Sequence, residues 1–489
     1  MDVPSTDQLS SSSPTTAEYI LVEYNGKLPE ETYKSDDSGV DDDSKSTQEV
    51  TLGQLEYYSD DFDTDLKNRL AALTISNGSY TSALENRKVY LNHPPVFSHT
   101  LETDNPITDQ KNSGRCWIFA GFNMLRHSMI KNCNLAKLEL SQSFIFFYDK
   151  LEKSNWFLEN VLKTLDEDID GHAMRFLLKN PVQDGGQWSM FVALVEKYGV
   201  VPKDVFPDTF HASDSEQLVW LLSVKLREYA KNMRNEHAKG KDIDEIRRMK
   251  GQMLKEIHRV VSVSLGQPPS TFNWTFYDKD KKAHGLKNVT PLQFYKDYVK
   301  QDCKNFVSLI NDPRNEYMRK YLVEYQGNVY GGNPVEFVNL DMDRIKKYVV
   351  SVVKSGRHVW FGCDMGKFYS AKHALMDPEL IDYKSAFDFD FGMTKMERMQ
   401  FGECTMTHIM VLTGVHVEDD GKPVRWRVEN SYGESVGDKG YLTMTDKWFD
   451  EYVFQVVLEK RDLPNDVLDV LDQEAAVLPF WDIFGIMGP

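Results

Sequence analysis

The sequence predicts an α+β fold of two lobes, a helical front and a β-rich back, behind an acidic disordered tail. Three observations predict it. Apolar residues recur at helical spacing from position 116 to 260, buried strand patterns crowd positions 359 to 458, and negative charge is concentrated at the front. Of the net charge of −18, residues 1–65 carry −14, from 17 Asp and Glu against 3 Lys, so the rest of the chain is nearly balanced at −4.

The tail comes first. Rich in Ser, Thr and Asp, residues 1–61 bury too little apolar surface to offset the entropy of ordering, and only residues 19–24 have the pattern of a short strand. Five scattered cysteines without a CxxC pair point to a reducing compartment, with neither a disulfide framework nor a metal site. No apolar run is long enough to cross a bilayer, and the first thirty residues lack a signal-peptide pattern. The expectation is a cytoplasmic protein with no membrane attachment and no metal or organic cofactor.

Order is expected from Phe62 and Leu66, with a short helix around Leu70, Leu73 and Ile75. A polar turn at 109–115 then ends in Cys116. Ile118, Phe119, Phe122, Leu125 and Met129 follow at helical spacing, so Cys116 opens a buried helix. A thiol there meets the positive end of the helix dipole, which favours the nucleophilic thiolate. Gln110, six residues upstream, is placed to donate its amide to a developing oxyanion. Ser141 reads as the N-cap of a second helix that buries Phe144 and Tyr148. Asp184-Gly-Gly-Gln-Trp precedes a third, through Phe191, Leu194 and Val195. Gly185 and Gly186 let a substrate backbone lie against the loop, although a simple turn also accounts for a lone glycine pair. Residues 62–210 form the lobe that carries the nucleophile.

Residues 211–330 read as a mainly helical insertion. Leu218, Leu221, Leu222, Leu226, Tyr229 and Met233 make one stripe; Ile246, Met249, Met253, Ile257 and Val260 make another, with Gly240 between them. Residues 211–265 hold 11 bases and 8 acids. A solvated helix face is the plainer reading of that +3 excess, and a nucleic-acid surface the alternative. A strand at 271–277 and a helix from Pro291 to Tyr298 complete the segment.

Residues 331–470 form the β lobe, with strands at 359–363, 407–416, 424–430, 441–444 and 453–458. A base for Cys116 belongs here. His408 and His416 share one strand and one face but lie about 26 Å apart, so only one meets the thiol. His408 begins the strand, and Asn430 ends its neighbour, where the side-chain carbonyl accepts the imidazole N–H. A Cys–His–Asn set makes a thiolate–imidazolium pair, in which His protonates the leaving amine and later activates water.

These motifs resemble the papain-like cysteine peptidases, and within them the bleomycin hydrolase branch. The carrying stretches are Thr108-Asp-Gln-Lys-Asn-Ser-Gly-Arg-Cys-Trp, Leu140-Ser-Gln-Ser, Val359-Trp-Phe-Gly-Cys-Asp-Met-Gly-Lys, Thr407-His, Arg425-Trp-Arg-Val-Glu-Asn-Ser-Tyr-Gly-Glu and Leu478-Pro-Phe-Trp-Asp. The resemblance implies a papain-like two-lobed fold, helical lobe plus β-barrel-like lobe. Cys116 would be nucleophile, His408 base and acid, Asn430 orienter, Gln110 oxyanion donor, and Gly185 and Gly186 the substrate loop. It further implies a homohexamer acting on peptides. Residues 471–489 would be an arm in the cleft whose terminal carboxylate, on Pro489, pairs with a substrate amino group. Tyr432 stands where the family usually has Trp, as a smaller shield over the Asn–His contact. The expected activity is removal of N-terminal residues from short peptides and hydrolysis of bleomycin-like amides. A ring that binds nucleic acid, and an endopeptidase whose tail leaves the cleft open, remain as alternatives.

Overall fold

The computed structural model describes residues 49–101 and 105–485 in two units, Met1–Thr64 and Asp65–Pro489. The acidic stretch 1–48, with the strand expected at 19–24, lies outside the described residues, as does Pro489. In the first unit the described element is a helix, Leu52–Thr64, which starts ahead of the expected onset at Phe62 and buries none of its residues.

In the second unit the front is helical. Cys116–Asn132 is nearly all buried, from Trp117 and Ile118 to Met129. Gln142–Lys163 starts at Ser141, whose hydroxyl accepts from the Phe144 N–H as an N-cap should. Trp188–Tyr198 buries Phe191, Leu194 and Val195 against these two. The back is one large sheet. At its centre Val359–Cys363, buried at every residue, lies between His408–Val417 and Val453–Glu459, both antiparallel to it. Pro423–Glu429 and Tyr441–Thr445 extend the sheet on one side. Phe306–Ile310, Glu336–Asn339, Arg319–Val323 and Ala476–Leu478 extend it on the other.

The central strands are apolar on both sides because both sides are covered. Trp360, Ile409, Val411 and Val457 join the helical lobe's core. Val359, Phe361, Met410, Leu412 and Val456 join a second core, closed by helix Met342–Lys354 through Ile345, Val349 and Val353. A bulge at Thr413 interrupts the alternation of His408–Val417, so a single face shared by His408 and His416 does not carry through the strand.

The expected hairpin is present as Glu216–Ala238 and Ile243–Leu265, turned at Gly240 with φ 88°. Its buried stripes differ slightly from those read by spacing: Leu221 is exposed, and Val261 rather than Val260 is fully buried. Most of its bases have partners within the fold. Arg227 and Arg234 donate to main-chain carbonyls, Lys239 and Lys241 pair with Glu236, and Arg247 and Lys250 pair with Glu159. The strand expected near 271 is Phe272–Tyr277, paired with Ala283–Val289. The helix from Pro291 ends at Phe294 and passes into a π turn, Tyr295–Val299. Strands Phe306–Ile310 and Arg319–Val323, within the stretch read as helical insertion, belong to the large sheet. Among the described residues no helix is long and apolar enough to cross a membrane.

Candidate active site

Cys116 is the first residue of its helix, so its main-chain N–H has no intrahelical acceptor and points out of the helix end. Trp360, in the central strand, donates its indole N–H to the Trp117 carbonyl at 3.4 Å and ties this helix end to the sheet. The thiol interacts with the main-chain N–H of Ile409, the residue after His408. His408 Nε2 donates to Asn430 Oδ1 at 2.8 Å, which leaves Nδ1 as the ring nitrogen for the thiol. The Ser431 N–H also donates to Asn430 Oδ1, at 2.8 Å, so two donors settle which way the amide faces. Tyr432 covers the histidine, with ring centroids 4.9 Å apart and planes tilted by 31°.

Gln110 reaches this site from the other lobe because two loops are stitched together. The Gln110 N–H donates to the Ser431 carbonyl at 2.9 Å, and the Gly433 N–H to the Thr108 carbonyl at 3.1 Å. The Gln110 amide oxygen accepts from Ser431 Oγ at 2.6 Å, while its nitrogen donates one hydrogen to the Ser113 carbonyl at 2.6 Å. One amide hydrogen is left over. Ser431 was not singled out in the sequence, where it is one serine beside a functional asparagine.

The electrostatics are those of a dry site. Burial pushes the Cys116 thiol up to about 11 against the pull of nearby N–H groups. Burial also pushes His408 down to about 4, offset in part by Asn430. A lone thiolate and a lone imidazolium are both disfavoured by this burial.

Gly185 and Gly186 lie beside this centre. A Cβ on Gly186 would fall inside the Trp117 indole, and one on Gly114 would stand 2.6 Å from the Asp184 Cβ, so both loops are packed too closely for side chains. The chain's last described residues are anchored in the core near Gln187. Phe484 is fully buried, its carbonyl accepts from Gln187 at 3.4 Å and Gln326 at 2.5 Å, and Asp482 pairs with Arg314 at 2.8 Å. Gly485 lines a cavity of about 220 Å³ with Lys153, Gln183 and Trp481. His416 sits at the far end of its strand, paired with Arg425. Cys133, Cys303, Cys363 and Cys404 are free thiols, as is Cys116.

The described residues match a known family over nearly their whole length. The pattern of the Peptidase C1-like family covers residues 49–485. Bleomycin hydrolase of Rattus norvegicus is 44% identical over 402 residues, 80% of this chain and 88% of its own. Aminopeptidase C of Listeria monocytogenes is 39% identical over 439 residues, 89% of this chain and 98% of its own. A crystal structure of PepW from Lactobacillus rhamnosis superimposes with a TM-score of 0.88 at 41% identity, over 91% of this chain and all of that one.

Proposed function

This chain belongs to the Peptidase C1-like family, and from that premise we propose that it is a cysteine aminopeptidase that removes N-terminal residues from short peptides, with Cys116, His408 and Asn430 as its catalytic set. The observation that carries the assignment of roles is the 2.8 Å bond from His408 Nε2 to Asn430, which reserves Nδ1 for the thiol at the helix start. The Cys116 thiolate attacks the substrate carbonyl, and the oxyanion takes the Cys116 N–H and the free Gln110 amide hydrogen. His408 then delivers the sulfur's proton to the leaving amine, and the acyl-enzyme forms. In the second half His408 removes a proton from water, and hydrolysis returns the thiol.

Specificity for a free amino end follows in this reading from the chain's own C-terminus. Gln187, just after the Gly185 loop, donates to the Phe484 carbonyl at 3.4 Å, and the role of pairing with a substrate ammonium falls to the Pro489 carboxylate. Amides like that of bleomycin fall within the same chemistry. The assembly proposed is a homohexamer, and the compartment a reducing cytoplasm, in keeping with five free thiols.

One experiment tests the core of this reading. A peptide amide is offered with a free and with an acetylated N-terminus to the intact protein, to Cys116→Ala and to a form ending at Gly485. Shorter truncations are unsuitable, because Phe484 belongs to the core. The expected result is cleavage of the free amine only, loss in Cys116→Ala, and cleavage of the acetylated peptide once residues 486–489 are removed. Acetylated peptide cleaved equally well by the intact protein would make it an endopeptidase instead.

A further inference from the structure

Helix Gln142–Lys163 buries five charged residues, and three of them sit together where apolar side chains belong. Asp149, Lys150 and Lys153 have almost no solvent exposure. The segment from Val182 to Gly186 crosses directly over them. Lys150 Nζ donates to the carbonyls of Val182 at 3.3 Å and Gln183 at 3.1 Å, and pairs with Asp184 Oδ1 at 2.5 Å. Lys153 Nζ donates to the carbonyls of Gln183 at 2.9 Å and Gly185 at 2.6 Å, lies 3.4 Å from that of Asp184, and pairs with Asp149 Oδ2 at 2.9 Å. Lys153 gives its three hydrogens to carbonyls with Asp149 as its ion-pair partner, and Lys150 gives two to carbonyls beside its ion pair with Asp184.

Four successive carbonyls are thereby turned inward. The Asp184 carbonyl also accepts from the Trp117 indole at 2.9 Å, and Trp117 follows Cys116 directly. The Asp184 carboxylate accepts from the Gly114 N–H at 3.1 Å and from Ser215 Oγ, which fastens the segment to the turn before Cys116. With its carbonyls held below, the loop presents Gly185, half-buried, and Gly186, packed against the Trp117 indole. An apolar contact would hold the same residues near one another without fixing which way each peptide faces. Two cations beneath a row of carbonyls fix that orientation.

We propose that Lys153 is a positioning residue for substrate: its ammonium, held by Asp149, sets the edge of Gly185 and Gly186 against which the substrate backbone is laid. This rests on the reading above in which those glycines take the substrate. It assigns Lys153 to binding and leaves the reactivity of Cys116 to the histidine. Lys153 acts only while protonated, and burial lowers it to about 8, with Asp149 and Asp184 opposing that shift and Lys150 adding to it. The groups facing it are those three and the Trp117 ring, 5.2 Å from the ammonium.

The test uses the full-length protein. Lys153→Met alone would strand the Asp149 charge, so Lys153→Met is combined with Asp149→Asn. At pH 7 the double variant is expected to raise KM for a free peptide amide at least tenfold, keep kcat within threefold, and keep iodoacetamide alkylation of Cys116 within twofold. The ratio of the two KM values falls toward one as pH rises to 9.5, because the intact protein then loses its own ammonium. The substrate amine titrates equally for both proteins and cancels in that ratio. Should the double variant not fold, Lys153→Arg, which cannot titrate there, must hold KM low up to pH 9.5, correcting for the substrate amine. An unmoved KM, a pH-independent KM ratio, or alkylation falling in step with kcat/KM each overturns the proposal. An intact protein that cleaves no peptide while Cys116 alkylates normally refutes instead the reading of the reaction, and this inference with it.

Discussion

Replacing His408 with alanine leaves Cys116 as an isolated thiol in a dry site. Burial holds that thiol at about 11, so at pH 7.5 about one molecule in 3,000 carries a thiolate, and the fraction rises about tenfold with each pH unit below 10. On the proposed mechanism the proton passes from sulfur to the ring in the intact protein, so the reactive form neither gains nor loses a proton across the middle of the pH range. Second-order alkylation by iodoacetamide reads the difference directly. The intact protein is expected to give a plateau in rate around neutrality, bounded by the two apparent constants of the pair. His408→Ala is expected to give a line of slope one in log rate against pH, from about pH 6 to 10, with no plateau. A variant that keeps the plateau would show that the helix end and its N–H groups hold the thiolate alone. His408 would then not be the base.

Three further outcomes follow from neighbouring contacts. Ser431→Ala frees the Gln110 amide to turn, and is expected to lower kcat several-fold while leaving Cys116 alkylation unchanged, since only the oxyanion contact is disturbed. Arg126→Met strands Glu429, buried and bonded to Arg126 at 2.6 Å, and is expected to cost about 3–5 kcal/mol in thermal or urea unfolding. Adding Glu429→Gln should recover much of that loss. Tyr432→Trp enlarges the cover over His408 and is expected to raise kcat; an unchanged rate would mean that shielding by Tyr432 does not limit catalysis.

Some of this was legible in the sequence and some was not, for physical reasons. The helix at Cys116 and the strand Val359–Cys363 were readable because the helix is buried throughout Cys116 to Arg126 and the strand at every residue, and long apolar runs leave few alternatives. Val261 was displaced to Val260 because a half-residue error in helical phase suffices to choose the wrong neighbour. The second strand of the 272–289 hairpin was missed because its residues are largely exposed and its pattern is polar. Asp149, Lys150 and Lys153 were not singled out in the sequence, since their partners lie some thirty residues away at 182–185 and spacing within a helix says nothing of them. Charged residues interrupting the apolar face from Phe144 to Leu158 were the available signal. Glu429 likewise meets an arginine 303 positions earlier. Asn430, in contrast, was legible because it ends a strand beside the one His408 begins.

The values at Cys116 and His408 also decide what their surroundings must do. Burial raises the Cys116 thiol and lowers the His408 ring, so both shifts open a gap in favour of a neutral thiol and a neutral ring. Two unit charges about 4 Å apart attract by about 1 kcal/mol in water and about 4 kcal/mol at an effective dielectric of 20. Attraction closes the gap more nearly as the effective dielectric falls. Desolvation thus acts twice: it opens the gap by raising the cost of each charge, and it strengthens the attraction that closes it. A partly wet site has the first effect with too little of the second. Tyr432 over the ring, Asn430 holding Nε2 and Trp360 tying the helix end to the sheet all act on the favourable side of that balance, because each keeps water from replacing the partner charge. On the proposed mechanism the aromatic at 432 then bears on more than access, and Tyr432→Trp is expected to lengthen the neutral plateau of Cys116 alkylation as well as to raise kcat.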